Sequence, residues 1–102
     1  MPKAVLIVTS APVSAEREDE YNDWYDNIHL ADICALPGFV GAKRYKLAGD
    51  ADQPYLAVYD IDHDDPEAAM GGIMAGVQDG SVRMSDVLAM DPAPGMNLYV
   101  ER

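Results

Sequence analysis

Proton-transfer chemistry has its parts in one short span of this sequence, where Tyr21, Trp24, Tyr25, Asp26 and His29 fall within nine residues. An imidazole changes charge close to neutrality, so it can take a proton and return it. With phenol and carboxylate neighbours it suffices for moving a proton at a carbon beside a carbonyl, and so for a cyclisation, dehydration or decarboxylation. It does not suffice for oxidation. A histidine so placed also serves as a packed structural group bonded to a backbone carbonyl, and from the residues alone both readings stand. Tyr21, Trp24 and Tyr25 are packing residues first, which is compatible with touching a ligand if they pack around a cavity.

No other set of residues competes. Gly71 and Gly72 lie inside a helical pattern and Gly38 follows Pro37, so none opens a nucleotide-binding loop. There is no His pair at helical spacing and no Cys pair for zinc. Asp60, Asp62, His63, Asp64 and Asp65 cluster without the Gly and distal Glu of a calcium loop, and read as a strand-to-helix turn with an N-cap. Cys34, between Ile33 and Ala35, has no base beside it and reads as a core residue.

The elements that must position His29 can be read in order. Ala4 to Thr9 is a β-branched apolar run with little alternation, expected to be a central strand covered on both faces. After a loop from Ser10 to Ala15 around Pro12, the acids of Ser14 to Glu20 start a helix on which Tyr21, Trp24, Tyr25 and Ile28 form one apolar stripe, with His29 on its border. Past His29 the stripe loses phase: Asp32 would fall in its middle, and Ile33 and Leu36 to one side. A kink or restart is therefore expected between His29 and Ala31.

Pro37-Gly38 leads to a second strand, Phe39 to Leu47, with Phe39, Gly41, Lys43, Tyr45 and Leu47 expected on one face. Tyr55 to Ile61 follows as its antiparallel partner. Asp65-Pro66 opens a second helix, N-cap first, whose Gly71, Gly72 and Gly76 imply close packing on the sheet or a mobile cavity wall made adaptable by Met70, Met74 and Met84. Ser81 to Met90 reads as a further helical turn or two, and Gly95 to Glu101 as a closing strand. The order βαββαβ is an α+β, ferredoxin-like plan with a four-stranded antiparallel sheet, and residues 1–102 form a single domain.

Composition bounds the partners. Nearly half the residues are hydrophobic in a chain of 102, a surplus that points to an apolar face covered by a second copy. A net charge of −11 repels nucleic acid and anionic membranes. A single cysteine, no secretory leader pattern and no stretch long enough to span a bilayer fit a cytoplasmic protein.

The run Tyr21-Asn22-Asp23-Trp24-Tyr25-Asp26-Asn27-Ile28-His29-Leu30, followed by Leu36-Pro37-Gly38-Phe39, resembles the EthD-like branch of the dimeric α/β-barrel superfamily, with Ala31 where that family usually carries Pro. The motif covers about a fifth of the chain, and the order of elements extends the resemblance over nearly all of it. It implies a homodimeric α/β barrel with a cavity between sheet and helices. In such a fold His29 is the catalytic candidate. Tyr21, Trp24, Tyr25, Tyr45 and Tyr59 are the substrate-binding candidates, with Tyr99 and Asn97 behind them. The activity implied is cofactor-independent acid/base chemistry on a small aromatic or polyketide-like carbonyl compound. A non-catalytic dimer that binds a small hydrophobic molecule, and a cofactor-free quinol monooxygenase, are the alternatives such a fold supports.

Overall fold

A computed structural model describes residues 3–102. Strand β1 (Lys3–Ser10) is followed by a 3-10 turn at Ala15–Arg17 and by one helical run in three pieces: α1 (Glu18–Trp24), a π-helical turn (Tyr25–His29) and α2 (Leu30–Cys34). Then come β2 (Phe39–Lys46), β3 (Tyr55–Asp62), α3 (Pro66–Asp79) and β4 (Gly95–Val100). The strands pair antiparallel in the order β2-β3-β1-β4. This is the expected α+β ferredoxin-like plan, with β1 central.

The alternation of side chains across the strands decides what is core. Ala4, Leu6 and Val8 of β1 and Tyr55, Ala57, Tyr59 and Ile61 of β3 are buried beneath the helices, against Tyr21, Trp24, Tyr25, Ile33, Ala69 and Ile73. Val5, Ile7, Leu56 and Val58 point to the opposite face and are only half-buried. The expectation that β1 is covered on both faces therefore holds on one face of the single chain.

Helix α3 begins as its sequence dictates: the Asp65 carboxylate accepts from the Ala68 N–H at 3.2 Å, Pro66 occupies the first turn, and Gly80 at φ 86° ends it. Of its glycines only Gly76 is in close contact. A Cβ there would come within 2.6 Å of Val82 Cγ2, whereas Gly71 and Gly72 face open space. Close packing is thus against the loop that follows, not against the sheet.

Residues 81–90 are not helical. Val82, Val87 and Leu88 are buried, and the segment bonds along the loop after β1 instead: the Val13 N–H donates to the Val87 carbonyl at 2.7 Å and the Ala89 N–H to the Ala11 carbonyl at 3.0 Å. Its Ser N-cap suited a helix, but the segment runs instead as turns joined to the loop after β1 by one isolated bridge, Pro12 to Leu88. No helix among the described residues is long and apolar enough to cross a membrane.

Candidate functional site

The helical run does not break at His29. The phase slip is absorbed one residue earlier by the π turn, in which the Leu30 N–H bonds the Tyr25 carbonyl five residues back. The wider turn brings every fourth residue into line, so Tyr21, Tyr25, His29 and Ile33 are all buried, while Ile28, expected on the stripe, is half-buried. His29 is thereby moved from the border into the apolar layer, where it is 8 % exposed.

Its ring stacks on Trp24, with centroids 4.6 Å apart and planes 28° from parallel, and meets Tyr25 edge-on at 4.9 Å. Nδ1 is buried and has no hydrogen-bond partner among the described residues, nor has Trp24 Nε1. Burial disfavours the imidazolium and pushes the pKa of His29 down to about 4, against the opposing pull of the Arg83 backbone and the Asp32 carboxylate. The ring is therefore neutral at physiological pH. Asp32 is itself held down to about 2 by Arg83, whose guanidinium and backbone N–H all donate to it, at 2.8 to 3.0 Å. That clasp ties the 81–94 segment to the helix one turn beyond His29.

Beside the ring is an apolar cavity of about 280 Å³. Val8, Tyr25, His29, Ile33 and Tyr59 line its inner side; Ile73, Met74 and Val77 of α3, Met84, Leu88, Met90, Ala93 and Pro94 of the loop, and Met96 of β4 line the rest. The Tyr59 hydroxyl is 3.4 Å from that of Tyr25, and burial raises both phenol pKa values, so both remain protonated donors. The polar side chains on this wall are one neutral imidazole and two phenols, and none of the lining residues carries charge at pH 7. Such a chamber suits a small uncharged ring compound held by burial and one or two hydrogen bonds.

The candidates named from sequence divide as follows. His29, Tyr25 and Tyr59 come together at the cavity. Trp24 backs the His29 ring, and Tyr21 lies deeper, its hydroxyl 2.6 Å from Ser10 Oγ. Tyr45 is misplaced in the sequence reading. A β-bulge between Phe39 and Gly41 inserts Val40 as an extra residue, so beyond it the strand presents the opposite alternation. Tyr45 lies on the far face of the sheet, 52 % exposed, as does Tyr99, with Asn97 paired to Ile7 on that same side. Met74 and Met84 do line the cavity, whereas Met70 packs on the core outside it. Cys34 is half-buried rather than a core residue.

The same bulge turns Arg44 inward. Its guanidinium lies over the Tyr25, Tyr55 and Tyr21 rings at 4.3, 5.0 and 5.3 Å, and donates to Asp26 at 2.8 Å and Asn22 at 3.0 Å. Asp26 therefore partners Arg44 and not His29. Gly41, directly after the extra residue, was the available signal, since Gly inside a strand pattern marks bulges.

No family profile matches the sequence, and no curated protein does. Solved structures do match. An EthD (ethyl tert-butyl ether D) family protein from Bacillus halodurans C-125 superposes with a TM-score of 0.61 at 16 % identity, covering 100 % of both chains. A proposed monooxygenase from Shewanella loihica PV-4 gives 0.61 at 15 % identity over 97 % of this chain and 94 % of that one. An EthD-like protein from Ralstonia eutropha JMP134 gives 0.57 at 17 % identity over 95 % and 88 %. At these identities the likeness is one of fold: the chain has the EthD-like fold that its aromatic helix and Leu-Pro-Gly turn resemble.

Proposed function

From an EthD-like fold with His29 on a cavity wall, we propose a cofactor-independent acid/base enzyme acting on a small aromatic or polyketide-like carbonyl compound. The observation that carries this reading is the convergence of three proton-bearing side chains, His29, Tyr25 and Tyr59, on one apolar cavity. A neutral imidazole keeps a lone pair on one ring nitrogen, and that lone pair takes a proton from the carbon beside the carbonyl. The Tyr25 hydroxyl, which itself accepts from Tyr59, donates to the oxygen on which charge then develops. The imidazolium so formed is stabilised by the Asp32 carboxylate before it returns the proton. A base this weak requires an acidic carbon, as between two carbonyls, which the substrate class named can supply.

The active assembly is a homodimer in this reading. Val5, Ile7, Leu56 and Val58 run across the central strands on the face away from the helices, with exposed Tyr45 and Tyr99 at its sides, and a second copy would cover that apolar strip. Sedimentation tests it: a monomer at micromolar concentration contradicts it.

The test of the chemistry is α-hydrogen exchange of an aryl β-diketone in D₂O, followed by NMR. The native protein accelerates exchange, and His29→Ala loses about a hundredfold or more of that acceleration while still binding the diketone. Undiminished exchange in His29→Ala removes the mechanism. A second reading, a dimer that binds a hydrophobic molecule without turnover, draws on the low basicity of His29; binding without exchange in the native protein favours it. Oxygen uptake with a quinol would favour a monooxygenase instead.

A further inference from the structure

Methionine is usually a core residue, yet Met74, Met84, Met90 and Met96 are each 42–63 % exposed, and all four line the cavity beside His29. They are four of the six methionines in the chain and come from three separate places: α3, the 81–94 segment and β4. Their convergence is a product of the fold, not of a local run in the sequence. Met96 pairs with Val8 on the helix side of the sheet, so a second copy packed on the opposite face does not cover them by that contact.

We propose that these four methionines are a modification site, at which oxidation to the sulfoxide turns the apolar wall polar and expels the ligand. The proposal rests on the reading of the cavity as a binding site for an apolar molecule. The oxidant is a peroxide: one oxygen atom passes to the thioether sulfur, the O–O bond breaks, the sulfur gives up two electrons, and hydrogen peroxide leaves as water. Each event replaces a soft, flexible thioether with a strong hydrogen-bond acceptor that must be hydrated. An apolar ligand would then have to strip water from an acceptor with no donor to replace it, because the nearest polar side chains, His29, Tyr25 and Tyr59, lie on the inner wall. Exposure selects the four for oxidation, whereas Met70, half-buried against the core, is the internal control.

The probe is N-phenyl-1-naphthylamine, an uncharged fluorescent two-ring amine. Full-length protein is treated with hydrogen peroxide, peptide masses report gains of about 16 Da per methionine, and dye fluorescence reports affinity. The expected result is oxidation at positions 74, 84, 90 and 96 ahead of Met70, with a loss of about tenfold or more in dye affinity. Methionine sulfoxide reductases then restore binding. In a variant combining Met74→Leu, Met84→Leu, Met90→Leu and Met96→Leu, whatever dye affinity it starts from, peroxide no longer lowers that affinity. Unchanged affinity after oxidation of the four, or an equal loss in the leucine variant, overturns the proposal alone. Reduced native protein that does not take up the dye overturns the binding reading itself, and the proposal with it.

Discussion

The helical run from Glu18 to Cys34 holds two unlike clusters against the sheet, and their contrast separates scaffold from site. Around Arg44 the polar groups answer one another: Glu18 accepts from Tyr55 and Lys46, Asn22 bonds both Arg44 and Tyr55, Asp26 accepts from Arg44, and Ser10 meets Tyr21. Only Arg44 Nε among these is buried and unmatched, and its guanidinium is set among aromatic rings, while Arg44 itself does not line the cavity. One turn further on, His29 stands beside an open chamber with Nδ1 unanswered. A buried polar network that closes on itself rigidifies the fold, whereas a polar side chain on a cavity wall is placed where a ligand can meet it.

The largest effect that tests this contrast is one of pH. His29 has a folded-state pKa near 4 against an ordinary value of 6.5, so the unfolded chain binds its proton first as pH falls. Stability is full above pH 6.5 and is lost between 6.5 and 4, by on the order of 3 kcal/mol, then levels off with respect to this group. Urea denaturation across that range measures it. A His29→Phe variant flattens the slope, and a native protein with no loss between pH 6.5 and 5 would show the ring to be solvated.

Breaking the closed cluster costs somewhat less. Arg44→Met leaves Asn22 short of a donor and removes the cation from three rings, an expected loss of about 2 kcal/mol by urea denaturation. Dye affinity at the cavity stays within about threefold of native. A variant as stable as native would mean the cluster contributes little, and a large loss of affinity would join the two regions that the contrast separates. Tyr21→Phe, which removes only the hydroxyl bonded to Ser10, should lower stability by about 1 kcal/mol with the packing kept. The smallest effect is at Tyr45: Tyr45→Ser changes dye affinity by less than about 0.5 kcal/mol, because its ring lies across the sheet from the cavity. A tenfold loss there would return Tyr45 to the binding wall.

Much of this was legible before any coordinates. The apolar run after Lys3, the Asp65-Pro66 helix start and the order of elements lead to the observed sheet, because each depends on local pattern and chemistry. The slip in helical phase was visible too, but a break and a π turn leave the same trace in sequence: a stripe that loses register. Which one occurs depends on whether packing rewards keeping the helix continuous, here by burying Tyr25, His29 and Ile33 together. Strand β2 failed for a related reason. Its Phe39-Tyr45-Leu47 alternation is the more apolar, but the extra residue at Val40 turns Arg44 inward in place of Tyr45, and three tyrosine rings with Asp26 and Asn22 accommodate the guanidinium there. The cavity wall at residues 81–94 was least legible, since Met84, Val87 and Leu88 are spaced as a helix would want them, while the segment is held instead by backbone pairing with residues far away in sequence.

The most direct measurement is an NMR titration of the His29 ring, followed with and without N-phenyl-1-naphthylamine. A midpoint near pH 4 is expected in the free protein, with a shift of the ring signals at pH 7 when the dye enters. A midpoint near 6.5, with signals indifferent to the dye, would place the imidazole in bulk water and contradict the account.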